Sequence, residues 1–184
     1  MVDLRKLGKD FIAPHIQIGG TVCDFTMGNG HDTAWLSKAV GKSGKVYAFD
    51  IQQAALDSTR KTLEREGVGE NCVLIKASHA DAGQYVKEKI CAGVFNLGYL
   101  PGSDKQVTTK RSSTMAAVTT AVELLASGGI VFIAVYPGHE EGRLEGEMLE
   151  SALAERYDRK EFCVSCFKII NSPDSPYFLL VEKK

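Results

Sequence analysis

The stretch Val22-Cys23-Asp24-Phe25-Thr26-Met27-Gly28-Asn29-Gly30-His31-Asp32-Thr33 decides how the chain is read. An apolar run, predicted as a strand over residues 21–26, ends in Gly28-Asn29-Gly30, and a helix is predicted from His31 to Val40. Glycines at such a turn let the backbone take positive φ and let a ligand approach with no Cβ in the way. The open N–H groups at the helix start favour an anionic or polar ligand group. The arrangement suits nucleotides in general, and a plain strand-to-helix turn is its bland alternative.

Two neighbours narrow the ligand. A dinucleotide turn, G-x-G-x-x-G, wants a third glycine where this chain has Thr33. Asp32, in the first helical turn, would repel a pyrophosphate but suit the ammonium of a methionine moiety. Both point to S-adenosylmethionine, which has no phosphates, although Asp32 reads equally well as a simple first-turn helix acid. Asp50 closes the second predicted strand, where an acid can accept hydrogen bonds from both ribose hydroxyls. NAD and S-adenosylmethionine sites both need that, so Asp50 supports a nucleoside without choosing between them. The candidate cofactor contacts are thus Thr26, Gly28, Asn29, Gly30, Asp32, Thr33 and Asp50, with Ile51 and Gln52 beside it. Ser78 and His79 join them after the third strand, where an adenine edge would lie. Ser78 is also a natural helix cap, with Asp81 at the third position.

Outward from the turn, strand-like and helix-like runs alternate. Strands are expected at residues 21–26, 45–50, 71–77, 91–97 and 130–136, and helices at 31–40, 53–66, 80–89, 114–126 and 141–156. Ser127-Gly128-Gly129 is read as the stop between the fourth helix and the fifth strand. Residues 161–170 and 177–182 have no helix between them and should pair as an antiparallel hairpin. Five β-α alternations demand a mostly parallel sheet with helices on both faces. The expectation is one α/β domain over residues 1–184, Rossmann-like, with seven strands and residues 1–18 as a leading helical segment. A parallel sheet closed by such a hairpin is the pattern of class I methyltransferases.

The fourth strand ends in Phe95-Asn96-Leu97-Gly98-Tyr99-Leu100-Pro101-Gly102. In an open parallel sheet the ligand lies beyond the strand carboxyl ends at the switch point, here between the first and fourth strands. The turn is similar to the N-P-P-Y turn of amino-group methyltransferases, with Leu97-Gly98 in place of the prolines. An asparagine carbonyl and a backbone carbonyl can accept hydrogen bonds from an incoming amine, and Tyr99 can pack on it. Asn96 and Tyr99 are therefore catalytic candidates. His139, in Tyr136-Pro137-Gly138-His139 after the fifth strand, is a third, as the best-placed titratable group; a loop histidine without chemical role is its alternative. Leu97, Gly98, Leu100, Pro101 and Tyr136 complete the expected substrate side.

Together, D-F-T-M-G-N-G-H-D-T, the Ser78-His79 pair, N-L-G-Y-L-P-G and Y-P-G-H-E-E-G resemble the small bacterial proteins labelled rRNA methylases, which include the MnmM (YtqB) type. The resemblance spans nearly the whole chain. It implies a class I fold, S-adenosylmethionine as methyl donor and the tRNA anticodon as partner, with methylation of 5-aminomethyl-2-thiouridine at the wobble position. The family often has alanine at the position of Met27 and an acid at that of Ala80; neither difference removes an obvious cofactor group.

Composition bounds these readings. The chain has 184 residues, 44% hydrophobic and 24% charged, with a formal net charge of −1. A large nucleic-acid footprint normally makes a domain basic, so any RNA contact should be small and local. Lys110 and Arg111, with Lys105, are the expected phosphate contacts, a solvated loop being the plain alternative. The acidic run Glu140, Glu141, Glu145, Glu147 and Glu150 reads as an exposed helix face. The five cysteines read as small buried side chains in a reducing compartment, with Cys163 and Cys166 on opposite faces of a strand. No metal-ligand cluster, membrane span or signal peptide is expected, and the reading is cytoplasmic. A homodimer is left open. Competing functions are a small-molecule methyltransferase, favoured by the near-neutral charge, an NAD-binding oxidoreductase, and a non-catalytic S-adenosylmethionine-binding module.

Overall fold

A computed structural model describes residues 3–98 and 111–184. Its strands are β1 (Thr21–Asp24), β2 (Lys45–Asp50), β3 (Cys72–Lys76), β4 (Ile90–Asn96), β5 (Leu125–Val135), β6 (Phe162–Phe167) and β7 (Tyr177–Lys183). They form one sheet in the order β3-β2-β1-β4-β5-β7-β6. The first five run parallel, and β7 pairs antiparallel with both β5 and β6. The mostly parallel sheet and its closing hairpin are those expected, with β7 inserted between β5 and β6. β1 and β4 are adjacent, so the chain reverses its direction of progress across the sheet at Asp24 and Asn96.

The helices are α1 (Leu4–Ile12), α2 (His31–Val40), α3 (Gln53–Arg65), α4 (Ala82–Tyr85), α5 (Arg111–Leu124) and α6 (Glu140–Arg156). A 3-10 turn, Ala13–His15, follows α1 and contains Pro14. One face of the sheet packs Phe25, Phe49, Phe95, Ile133 and Leu179 against α5 and α6. The other packs Val22, Val94, Phe132 and Phe178 against Ile12 of α1 and Leu36 of α2. Each such fully buried side chain contributes about 1.5–3 kcal/mol. Because both faces are covered, β4 is buried from Ile90 through Phe95, which explains its unbroken apolar run.

α1 lies close to β5 because its middle residue is Gly8: a Cβ there would stand 2.3 Å from the Phe132 ring. That approach carries the next residue, Lys9, to the carboxyl end of the sheet, where β1 and β4 meet.

Several expectations are corrected. The helix predicted over residues 80–89 is a 3-10 turn, His79–Asp81, and the single turn α4; Val86 is already extended. The reason is tertiary. Glu88 accepts hydrogen bonds from Tyr47 Oη (3.0 Å) and Lys45 Nζ (3.0 Å), and Lys89 Nζ donates to Glu123 O, so residues 87–89 are drawn toward β2 and α5. Ser127-Gly128-Gly129 does not separate helix from strand. β5 begins at Leu125, and the extra residues bulge between the pairs Ile90–Leu125 and Ala92–Ile130, with Gly128 at φ 74°. Cys163 and Cys166 are exposed, because β6 is the edge strand; only Cys23 and Cys91 are buried. Glu145 belongs to no exposed face: it is buried at 2% exposure and accepts a 2.5 Å hydrogen bond from Thr114 Oγ1 across α5 and α6. Glu150 is tied by Lys168 and Tyr177.

Candidate active site

The turn between β1 and α2 is built around a carboxylate that sequence reasoning passed over. Asp24 is fully buried. Its Oδ1 accepts from Thr26 N (3.1 Å) and its Oδ2 from Thr33 Oγ1 (2.7 Å). Burial, reinforced by the charge of Asp32, pushes its carboxyl up from 3.8 to about 7. Thr33 is thereby accounted for: fully buried and committed to Asp24, it supports the turn from behind.

Gly28 and Gly30 have φ of 49° and 79°. At Gly30 a Cβ would also stand 2.8 Å from Thr59 Cα, so neither conformation nor space admits a side chain there. α3 braces the turn: Thr59 Oγ1 donates to Gly28 O and Ser58 Oγ to Asn29 Oδ1. The signal for these two partners lies outside the motif, 29 and 31 residues downstream of the residues they hold, which is why the sequence did not disclose them.

Asp50 ends β2 facing the same turn. It accepts from Gly28 N (3.2 Å) and Gln52 N (3.0 Å), and burial pushes its carboxyl up against these two bonds. Gln52 starts α3 through its backbone, with no side-chain cap bond. Ile51 is 55% exposed, an apolar side chain beside a carboxylate at the mouth of the turn. Opposite, Ser78 Oγ accepts from Ala80 N as a cap. His79 Nδ1 lies 3.3 Å from Phe25 O, and its ring meets Phe95 edge-on; burial lowers its pKa. A neutral imidazole donating from Nδ1 leaves Nε2 as an acceptor.

The end of β4 is fastened to the same structure. Asn96 N donates to Thr26 Oγ1 (2.7 Å), and Asn96 Nδ2 donates to Asp32 Oδ2 (2.9 Å). No described residue donates to the Asn96 side-chain carbonyl, which remains an acceptor. Leu97 points into the core and donates its N–H to Ala134 O; Gly98 follows at φ 129°. Thus Thr26, Gly28, Asn29, Gly30, Asp32, Asp50, Ile51, Gln52, Ser78, His79 and Asn96 gather at one end of the sheet.

The substrate side is partly different. His139 is the N-cap of α6: its Nδ1 accepts from Gly142 N at 3.0 Å, and the side chain is solvent-exposed. This capping bond accounts for one of its ring nitrogens. Tyr136 is half-buried beside the Phe132 cluster. Tyr99, Leu100, Pro101, Lys105 and Lys110 lie outside the described residues, as does the side chain of Arg111 at the start of α5. Among the described residues no group of three metal-ligating side chains converges, and no helix is long and apolar enough to cross a membrane.

The family model described as "Putative rRNA methylase" matches residues 46–183. The chain belongs to this family. It is similar, at 37% identity over 180 residues, to the tRNA (mnm(5)s(2)U34)-methyltransferase, chloroplastic, of Arabidopsis thaliana. The match covers 92% of the chain and 65% of that relative, so the chain spans about two thirds of the plant protein's length. Among solved structures, a "putative rRNA-methylase" from Clostridium thermocellum superimposes with TM-score 0.96 at 35% identity, covering 100% of this chain and 99% of the other. A "putative methyltransferase" from Streptococcus mutans in complex with SAH gives TM-score 0.89 at 35% identity, again over 100% and 99% of the two chains. The fold of this rRNA methylase family member is therefore that of the class I methyltransferases.

Proposed function

We propose that this chain is an S-adenosylmethionine-dependent N-methyltransferase acting on the aminomethyl group of 5-aminomethyl-2-thiouridine at the tRNA wobble position. The observation that carries the reading is Asn96. Its backbone N–H is spent on Thr26 and its side-chain amide donates to Asp32, both of the cofactor turn, so its carbonyl is held fixed at the junction of β1 and β4. The name of the Arabidopsis relative supports the substrate, and the SAH bound to the Streptococcus mutans protein supports the cofactor.

The residues fit that cofactor. The glycine turn admits close approach, Asp50 presents a carboxylate suited to a ribose, Ile51 offers an apolar surface suited to a base, and Asp32 suits an ammonium. When bound, the sulfonium supplies an activated methyl group. Asn96 then accepts a hydrogen bond from the substrate amine and orients its lone pair, so catalysis rests mainly on positioning. The amine must be neutral to react, and water or a neighbouring base takes its proton. The tRNA contact is small, in keeping with a net charge of −1. From the sequence, Lys110, Arg111 and Tyr99 are the residues of this single domain proposed to bind substrate, and the cytoplasm is the proposed location of the enzyme.

Incubating the protein with S-adenosylmethionine and tRNA lacking the terminal methyl group, followed by nucleoside mass spectrometry, tests the proposal. The expected product is one methyl heavier at aminomethyl-thiouridine. No gain there, with methylation of a free small amine instead, would replace this reading by the small-molecule methyltransferase that the near-neutral charge favours.

A further inference from the structure

Lys9 has no part in the sequence motifs, yet it reaches the middle of the site. Its Nζ lies 2.8 Å from Asp32 Oδ1, while the other oxygen of Asp32 holds Asn96. The pair is shielded: the two side chains are 35% and 22% exposed, against 73% and 59% for the surface pair Lys6–Asp10 one turn earlier on the same helix. The ammonium also lies 5.1 Å from the centre of the Trp35 ring, a favourable cation–π distance. Lys9, Asp32, Trp35 and Asn96 line one open cleft, floored by Ile12 and Phe132.

The charges around this cleft raise a question of balance. Asp24, Asp32 and Asp50 put three carboxyl groups about the turn, and those that carry charge disfavour a further anion there. A methionine end carries an α-carboxylate as well as an α-ammonium on the same carbon. Asp32 can match only the ammonium. Among the described residues, Lys9 is the cation that forms an ion pair with a carboxylate of the turn.

We propose that Lys9 is a cofactor-binding residue and that Lys9 and Asp32 form a paired-charge cradle for the amino-acid end of S-adenosylmethionine. Lys9 takes the α-carboxylate and Asp32 the α-ammonium. The ion pair and the incoming zwitterion are each neutral, so the exchange of partners leaves no charge uncompensated. In the absence of ligand the two side chains satisfy each other. Gly8, by letting α1 lie against Phe132, sets the reach of Lys9. The proposal rests on the cofactor reading above and extends it to a residue on the leading helix.

The test is calorimetric and needs no turnover. S-adenosylhomocysteine and its decarboxylated analogue, which keeps the adenosine, the sulfur and the amine, are titrated into the full chain and its Lys9→Met variant. The wild type is expected to prefer S-adenosylhomocysteine by about 10-fold or more, the usual worth of a charge-assisted hydrogen bond. Lys9→Met is expected to lose that preference by weakening S-adenosylhomocysteine alone, and Lys9→Arg to restore part of it. Equal weakening of both ligands, or no weakening of either, would overturn the proposal by making Lys9 structural or idle. A wild type that does not discriminate between the ligands would overturn it without any variant. If the wild type binds neither ligand, the cofactor reading itself falls, an outcome distinct from the others.

Discussion

Asp24 makes the stability of this fold depend on pH in a direction opposite to that of an ordinary salt-bridged carboxylate. Its carboxyl is pushed from 3.8 in the open chain to about 7 in the folded one, chiefly because it is fully buried. Between those values the folded chain holds a proton that the unfolded chain has released. Stability from this group is therefore complete below about pH 4 and is lost as pH rises through about 7. At 1.36 kcal/mol for each pH step, the loss approaches about 4 kcal/mol, a large share of the 5–15 kcal/mol typical of a domain. Asp24→Asn keeps the shape and can accept from Thr26 N and bond to Thr33 Oγ1, but it does not ionise. Urea unfolding of both proteins from pH 4 to pH 8 isolates the effect, because other titrating groups largely cancel in the difference. The wild type should match the variant near pH 4 and fall progressively below it, by up to about 4 kcal/mol at pH 8. A flat difference, or one in which the wild type gains with pH, would refute the burial argument. Because the charge of Asp32 is the second cause of the shift, Asp32→Asn should move the fall to lower pH.

Asp50→Ala removes the acceptor of Gly28 N and Gln52 N as well as the carboxylate suited to a ribose. S-adenosylhomocysteine affinity should drop by about 10-fold or more by calorimetry, and unchanged affinity would show that the end of β2 does not meet the ligand. His139→Ala should lower stability by about 1 kcal/mol in denaturant, the usual worth of a helix cap, while His139→Asn should keep it. If both variants instead lose turnover with stability unchanged, the histidine acts in the chemistry.

The order of elements was legible because hydrophobic period reports burial locally: the apolar run Ile130 to Val135 and the amphipathic stretch before Gly67 each carry their own signal. Where partners far along the chain decide, the signal vanishes. Residues 87–89 look helical in isolation, and it is Tyr47, Lys45 and Glu123 that hold them otherwise. Leu125 belongs to β5 only because Ile90 pairs with it. Glu145 resembles its exposed neighbours by type, yet Thr114 receives it in the interior. Within the site the glycine turn, Asp50 and Asn96 could be found from spacing, since a turn between a strand and a helix is a local object. Asp24 carried a weaker trace, an acid at the end of a strand whose other residues are Thr21, Val22 and Cys23; a charged type so placed is either partnered or neutralised, and here it is both hydrogen-bonded and raised toward neutrality. Lys9 carried none. On a short helix with Lys6 and Asp10 as neighbours it reads as one more solvated charge, and only the missing side chain of Gly8, which admits α1 to the Phe132 ring, turns it toward Asp32. The residues that set the charge of this site are thus the ones whose meaning depends on packing elsewhere, so a motif search alone recovers the nucleotide turn without the cation that balances it.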